Sequence, residues 1–217
     1  MDLYSFFNSS TSYRVRIAFA LKGLDATYHG INIRVGEHRD ARYVSSINAS
    51  ASVPAIVDGD FHLGQSFAII DWLDNKHPEP RLIPTEPELR ARVLELSSAI
   101  ASDIHPLNNL RILKYLTDVL KVTPEQKDAW YQHWIVEGMG TVERLLERRA
   151  ASHVGSWAFG NDPTLADVCL VPQIANALRV GCDLSAFPCA LSVFAHAKQH
   201  PAFVKAEPGN QPDYITH

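Results

Sequence analysis

Three hydroxyl side chains in succession, Ser9-Ser10-Thr11, lie between a short apolar stretch, Leu3-Tyr4-Ser5-Phe6-Phe7, and a run with helical apolar spacing. A polar turn that feeds a helix from a strand leaves several backbone N–H groups without partners at the helix start. The helix dipole adds partial positive charge there. Such a place binds anions, and where the anion is a thiolate it lowers the thiol pKa. A hydroxyl is too weak an acid to serve as a base itself, so Ser9, Ser10 and Thr11 suit donation to the sulfur of a ligand. The same residues also make plain helix caps, and for the turn alone capping is the commoner use.

Two further pairs change that balance. Val53-Pro54 opens a strand after a helix. A proline there is consistent with a cis bond, which is almost confined to X–Pro. That geometry would turn the Val53 backbone outward, where an extended peptide could pair with it as an added strand. An ordinary edge-strand proline is the plainer alternative. Gln65-Ser66 falls where a strand gives way to a helix. N–H groups and the Ser66 hydroxyl could hold a carboxylate there. An anion grip, a backbone edge and a thiolate site together suit a small anionic thiol peptide.

The elements that must position these groups can be read from periodicity. Leu3–Phe7 reads as a strand, and Val15, Ile17, Ala18, Ala20 and Leu21 mark a helix that stops at Gly23. Tyr28–Ile33 alternates as a second strand, residues 40–47 suit a short helix, and Val53–Val57 and Phe61–Leu63 flank the turn Asp58-Gly59-Asp60 as a hairpin. Gln65–Asn75 is apolar at helical spacing. The order is βαβαββα over residues 1–78, with a proline-rich linker at 79–86 and only helical patterns in 87–217. Thr85-Glu86-Pro87-Glu88, Thr123-Pro124-Glu125-Gln126 and Thr164-Leu165-Ala166-Asp167 read as capping boxes. The helix from the first is expected to run to about Leu120, bent near Pro106, and a last helix spans 187–198. The tail from Pro201 holds three prolines and is expected to wrap loosely over the surface.

Composition narrows the class. The formal net charge of -4 argues against nucleic acid as a partner, since a polyanion binder carries a basic excess. Cys169, Cys182 and Cys189 have no paired spacing, which fits a reducing compartment. The N-terminus lacks the sections of a signal peptide. No apolar run reaches the ~18 residues of a membrane span. The expected location is the cytoplasm, with no membrane contact. Ten histidines are scattered without zinc-site spacing, so no metal is expected. Asp167 reads as a structural cap rather than a catalytic acid, and Cys169 as core rather than nucleophile. Trp72, Trp130, Trp134 and Trp157 read as packing residues.

These residues resemble the glutathione transferase superfamily, and the zeta class in particular. Ser9-Ser10-Thr11-Ser12-Tyr13-Arg14-Val15-Arg16-Ile17-Ala18 is similar to the signature of that class, and Leu21-Lys22-Gly23 continues it. The likeness extends through Val53-Pro54, Gln65-Ser66, Leu82-Ile83-Pro84, His105-Pro106-Leu107-Asn108-Asn109, Thr164–Asp167, Leu170-Val171-Pro172-Gln173 and Gln211-Pro212-Asp213, nearly the whole chain. It implies a glutathione transferase fold: an α/β thioredoxin-like N-terminal domain and an all-α C-terminal domain that binds substrate. It also implies glutathione as cofactor and a homodimer. By the same likeness Ser9, Ser10 and Thr11 surround the glutathione sulfur. Val53 pairs with the cysteinyl backbone beside Pro54, Gln65 and Ser66 take the γ-glutamyl end, and His105 and Asn109 face the glutathione cleft. Arg179, with Arg111, would hold a small anionic substrate. The implied reaction is glutathione-dependent cis–trans isomerisation of a maleyl-type keto acid, maleylacetoacetate or maleylpyruvate.

Two departures from the family pattern bear on the substrate. Asn8 stands where the family usually has an arginine beside the sulfur, which removes a cation able to hold a substrate carboxylate. Ala49-Ser50-Ala51-Ser52 replaces a proline and glutamine that help grip glutathione. Asn8 strengthens a rival reading, glutathione conjugation or dehalogenation of a small electrophilic acid. The altered loop favours another, a glutathione-binding module with little catalysis.

Overall fold

A computed structural model describes residues 1–149 and 155–215. The chain divides into two compact units, Met1–Ile83 together with Lys198–His217, and Pro84–Ala197.

The first unit is built on a four-stranded sheet in the order β2-β1-β3-β4, with β1 Asp2–Ser5, β2 Thr27–Gly30, β3 Ala55–Asp58 and β4 Phe61–Gly64. β1 runs parallel to β2 and antiparallel to β3, and β3 and β4 form the expected hairpin. Helices α1 Ser10–Leu21, α2 Ala41–Ser46 and α3 Ser66–Lys76 complete the βαβαββα order. Gly23 ends α1 at φ +64, a left-handed conformation that glycine adopts without a Cβ penalty. Val15, Ile17 and Ala18 of α1 and Ile69, Ile70 and Leu73 of α3 are fully buried. The α1 face expected from apolar spacing is met only in part: Ala20 and Leu21 are half-buried, and burial instead runs without a break from Ser12 to Phe19, Arg14 and Arg16 included. A second core gathers Phe6, Phe7, Tyr43 and Val53, with Tyr4, Ile31, Ile33 and Ile47 packed on it. Lys22 is buried against Asp74 at 2.7 Å, and the same carboxylate accepts from Leu82 N and Ile83 N at 3.0 and 2.6 Å.

Both N-terminal strands are shorter than their apolar patterns. β1 stops at Ser5 because the carbonyls of Phe6 and Phe7 are taken by the Arg16 guanidinium, at 3.2 and 2.9 Å, and leave the ladder. β2 stops at Gly30 rather than Ile33: past Ile31 the chain turns at Asn32, whose N–H donates to Glu37 Oε2 at 2.6 Å.

The second unit is helical: α4 Pro87–Ser98, α5 Leu110–Asp118, α6 Pro124–Glu147, α7 Leu165–Arg179 and α8 Pro188–Ala197. α7 is its most buried helix, with every residue from Leu165 to Ile174 inside. The Asp167 carboxylate accepts from Thr164 N, Thr164 Oγ1 and Ala158 N at 2.8, 3.0 and 2.7 Å, as a cap should, and burial raises its pKa. Thr123 and Gln126 make the expected box on α6. Buried Glu143 plays the same part for α8, accepting from Cys189 N and Ala190 N at 2.7 and 2.9 Å.

Three further expectations need correction. α4 is capped by Glu86, not Thr85: its carboxylate reaches Glu88 N and Leu89 N at 3.0 and 2.6 Å while Pro87 occupies the first turn. One bent helix from 87 to about 120 is instead four pieces. After α4 come a π-helical stretch, Ala99–Ile104, a 3-10 turn, His105–Asn108, and then α5. Pro106 cannot donate into a continuing α-helix, and Asn109 starts a new one by capping Arg111 N at 3.1 Å. Finally, the tail is not loose. It forms α9 Pro201–Lys205 and a 3-10 turn, buries Ala202, Phe203 and Ala206, and belongs to the sheet unit. Among the described residues no helix is long and apolar enough to cross a membrane.

Candidate active site

Sheet register brings three of the sequence-predicted segments to one end of the first unit. Tyr4 pairs with Ala55, and Ala55 with Gly64. So the chain leaves β1 towards Ser9, enters β3 from Val53-Pro54 and leaves β4 into Gln65 at the same end of the sheet.

Ser9 is the N-cap of α1, with extended backbone at φ -83 and ψ 120, and its Oγ accepts from Ser12 N at 3.2 Å. That Oγ is also 2.9 Å from Thr11 Oγ1, which donates to Val53 O at 3.1 Å. Because the Thr11 proton goes to Val53, the Ser9 hydroxyl is the donor in the Ser9–Thr11 contact. The turn is thus both a cap and a closed chain of hydroxyls. A sulfur anion could accept the Ser9 Oγ–H hydrogen bond in place of Thr11 Oγ1, with the proton staying on Ser9. Ser10 is the first residue of α1 and is half-buried.

The Val53-Pro54 bond is cis. β3 begins at Ala55, so the Val53 N–H is not part of the sheet ladder. Gln65 has φ +67, a conformation that non-glycine residues avoid, at a cost of about 1–3 kcal/mol. It is exposed and stands as N-cap of α3 without a side-chain hydrogen bond into the helix, and Ser66 behind it is 6% exposed. The first N–H groups of α3 therefore have no side-chain cap, which suits a carboxylate. A depression of about 670 Å³ beside Gln65 is lined by Asn48, Ala49, Ser50, His62 and Gly64. Its rim is the loop that departs from the family pattern. Asn48 holds that loop, donating to Ser52 O at 2.8 Å and accepting from Ser50 N at 3.0 Å. A larger depression, about 890 Å³, lies against Tyr4, Tyr43, Arg39 and Arg42, and no hydroxyl of the Ser9–Thr11 turn lines it.

Residues that the sequence reading did not single out support the turn. Arg16 is 5% exposed. Besides the Phe6 and Phe7 carbonyls it donates to Ser5 Oγ at 3.2 Å and Ala206 O at 3.0 Å. Burial lowers its pKa to about 10, against the opposing pull of Tyr28 and Asp213. Arg34 lies over the Phe6 and Phe7 rings at 5.6 and 5.4 Å, which puts a cation beside the residues leading to Asn8. Asn8 itself is half-buried. The signal for Arg16 was a charged residue set between the apolar Val15 and Ile17, five residues after Thr11.

In the second unit, His105 Nε2 and Asn109 Nδ2 are 3.3 Å apart, so this pair is brought together. Asn109 spends its oxygen on the start of α5. Arg111 is exposed, one residue inside α5. Arg179 is exposed in the last turn of α7, where the helix dipole favours a cation. It donates to Asn176 Oδ1 at 2.5 Å, and Asn176 Nδ2 donates to Tyr131 Oη at 2.6 Å. Burial pushes the Tyr131 phenol up to about 12, against the lowering influence of Arg179. Neither Asn176 nor Tyr131 was legible as part of an arginine support. Among the described residues no cluster of His, Cys, Asp or Glu could hold a metal.

Comparison with known proteins finds relatives along the whole chain. Residues 3–81 match the model of the glutathione S-transferase N-terminal domain. A probable maleylacetoacetate isomerase of Vibrio cholerae is 43% identical over 97% of both chains. The solved maleylpyruvate isomerase of Pseudomonas aeruginosa PAO1 is 46% identical, covering 99% of this chain and all of its own, with a TM-score of 0.85. The holo structure of another maleylpyruvate isomerase, described as a bacterial zeta-class glutathione S-transferase, is 39% identical over 99% of this chain with a TM-score of 0.95. With relatives this similar along its full length, the chain belongs to the zeta class of the glutathione transferase family.

Proposed function

We propose that this protein is a glutathione-dependent cis–trans isomerase of a maleyl-type keto acid, maleylpyruvate or maleylacetoacetate. The observation that supports it most is the convergence of the Ser9–Thr11 hydroxyls, the Val53 backbone and the start of α3 at one end of the sheet. A thiol tripeptide fits that set: hydroxyl donors for its sulfur, a backbone N–H outside the ladder for its centre, and the start of α3 for its γ-glutamyl carboxylate. When bound, glutathione supplies the sulfur whose reversible addition turns the cis double bond into a rotatable single bond.

The chain's own residues do the rest. Ser9 donates to the sulfur, and the N–H groups at the start of α1 hold its charge, which lowers the thiol pKa. Val53, Gln65 and Ser66 fix the tripeptide. For the second unit this reading keeps the roles the likeness implies: His105 and Asn109 in binding glutathione, and Arg179 with Arg111 for the carboxylates of the dianionic substrate. A homodimer in the cytoplasm belongs to the same reading.

The test is to incubate the protein with each keto acid, with and without glutathione, and follow loss of the cis isomer. Turnover is expected only with glutathione. Turnover of a chlorinated acid but of neither keto acid would replace isomerisation by conjugation or dehalogenation, the reading that Asn8 favours. Glutathione binding with no turnover of any of these would leave a binding module.

A further inference from the structure

The C-terminal tail reaches the thiol turn directly. Asp213 Oδ2 accepts from Phe7 N at 3.0 Å, across 206 residues of sequence. Its other oxygen accepts from Tyr28 Oη at 2.6 Å. The fit leaves no spare room: a Cβ added at Gly30 would lie 2.8 Å from Asp213 Cβ. Next to it the Tyr214 ring meets the Phe7 ring edge-on, with centroids 5.3 Å apart. Further back, Ala206 O takes Arg16 Nε, and Phe203 O takes Tyr13 Oη at 3.3 Å.

What these contacts hold is the approach to Ser9, residues Phe6–Asn8. Phe6 N donates to Ser12 Oγ at 3.4 Å, and Phe6 O accepts from Ser9 N at 3.0 Å as well as from Arg16. Phe7 O also goes to Arg16. Among the described residues, the Phe7 N–H takes its hydrogen-bond partner from outside β1 and α1, and that partner is Asp213. Since β1 ends at Ser5, no sheet bond fixes these residues. The Phe6 and Phe7 rings are packed in the core with Tyr43 and Val53; the backbone that aims the Ser9 hydroxyl is held by α1 on one side and the tail on the other.

We propose that Asp213 is a positioning residue of the thiol site, and that the tail is a strap which holds the Phe6–Asn8 approach so that Ser9 and the first N–H groups of α1 point at the sulfur. This rests on the placement of the sulfur at Ser9 given above. The strap acts through geometry: a misplacement of a fraction of an ångström weakens donation to a thiolate without removing any ligand contact.

The experiment uses the full-length protein, reading glutathione affinity, the pH midpoint of thiolate absorbance in the bound thiol, and turnover of the keto acid. In the wild type a midpoint below that of free glutathione is expected; its absence would overturn the placement of the sulfur and say nothing against the strap contacts. Given that midpoint, Asp213→Ala should raise it and cut turnover about tenfold, with glutathione affinity within about threefold. Asp213→Asn keeps one acceptor for Phe7 N and can donate to Tyr28 Oη, so it should restore the wild-type midpoint and turnover within about twofold. A lowered melting temperature with an unchanged midpoint and turnover would overturn the proposal and leave Asp213 a purely structural tie. Should Asp213→Ala fail to fold, Gly30→Ala pushes the carboxylate off Phe7 while keeping it. It should raise the midpoint in the same direction, and an unmoved midpoint there would sink the idea.

Discussion

At the start of α1 the approach to Ser9 is held through its own backbone, by Arg16 on two carbonyls, by Ser12 and by Asp213, most of it out of water. At the end of α7, Arg179 is exposed and reaches Asn176, which leans on Tyr131; Arg111 stands on the surface of α5. The first region is a fixed electrostatic environment made from peptide groups. The second is a set of long side chains on helix ends. A sulfur whose pKa must be set needs donors that do not reorganise, and buried backbone supplies them. Under the proposed function, substrate carboxylates would need only cations that can reach, and exposed arginine forks such as Arg179 and Arg111 supply those at little cost to the fold.

This contrast can be broken by mutation. Ser9→Ala should reduce turnover by about 10²–10³-fold, the usual loss for one preorganised donor, while denaturant titration shows only the small penalty of a lost cap, about 1 kcal/mol. A rate unchanged by Ser9→Ala would move the sulfur contact to Ser10 or Thr11. Arg16→Met should cost about 3 kcal/mol in the same titration, because the carbonyls of Phe6, Phe7 and Ala206 lose their charged donor. Arg179→Ala should behave in the opposite way, raising KM for the keto acid about tenfold with no shift in the denaturation midpoint. Equal losses of stability from Arg16→Met and Arg179→Ala would erase the distinction. The smallest effect concerns acid. Hydrogen bonds from Leu89 N and Glu88 N hold the Glu86 carboxyl below its usual pKa. A depressed pKa means its contribution is present above the unfolded-state value and lost as pH falls through the folded one. Glu86→Gln should therefore flatten that part of the acid limb of stability against pH without touching turnover.

Much of the first unit was legible because its signals are local. Apolar spacing marks α1, Gly23 stops it, and Pro54 and Gln65 mark where a strand is entered and left. The end of β1 was misjudged for a reason outside the strand: Arg16, in the next helix, withdraws the Phe6 and Phe7 carbonyls from the ladder. The Glu86 cap was missed because a carboxylate two or three residues before a free N–H does what Thr85 would have done, and only geometry chooses between them. The tail misled because its prolines suggested looseness, while its anchors, Phe203, Ala206 and Asp213, find their partners on segments from the far end of the sequence. The Arg179–Asn176–Tyr131 chain joins α7 to α6 and leaves no mark in either helix read alone.

The contact between Phe7 and Asp213 also has a consequence for how the molecule is made. Asp213 is synthesised 206 residues after Phe7. A nascent chain therefore displays the whole sheet, the Ser9 turn and both helix starts well before their last tie exists. Long-range closure of this kind is slow compared with local helix and hairpin formation. If the tail is the strap proposed above, the approach to Ser9 reaches its final geometry late, after the sheet and both helix starts have formed.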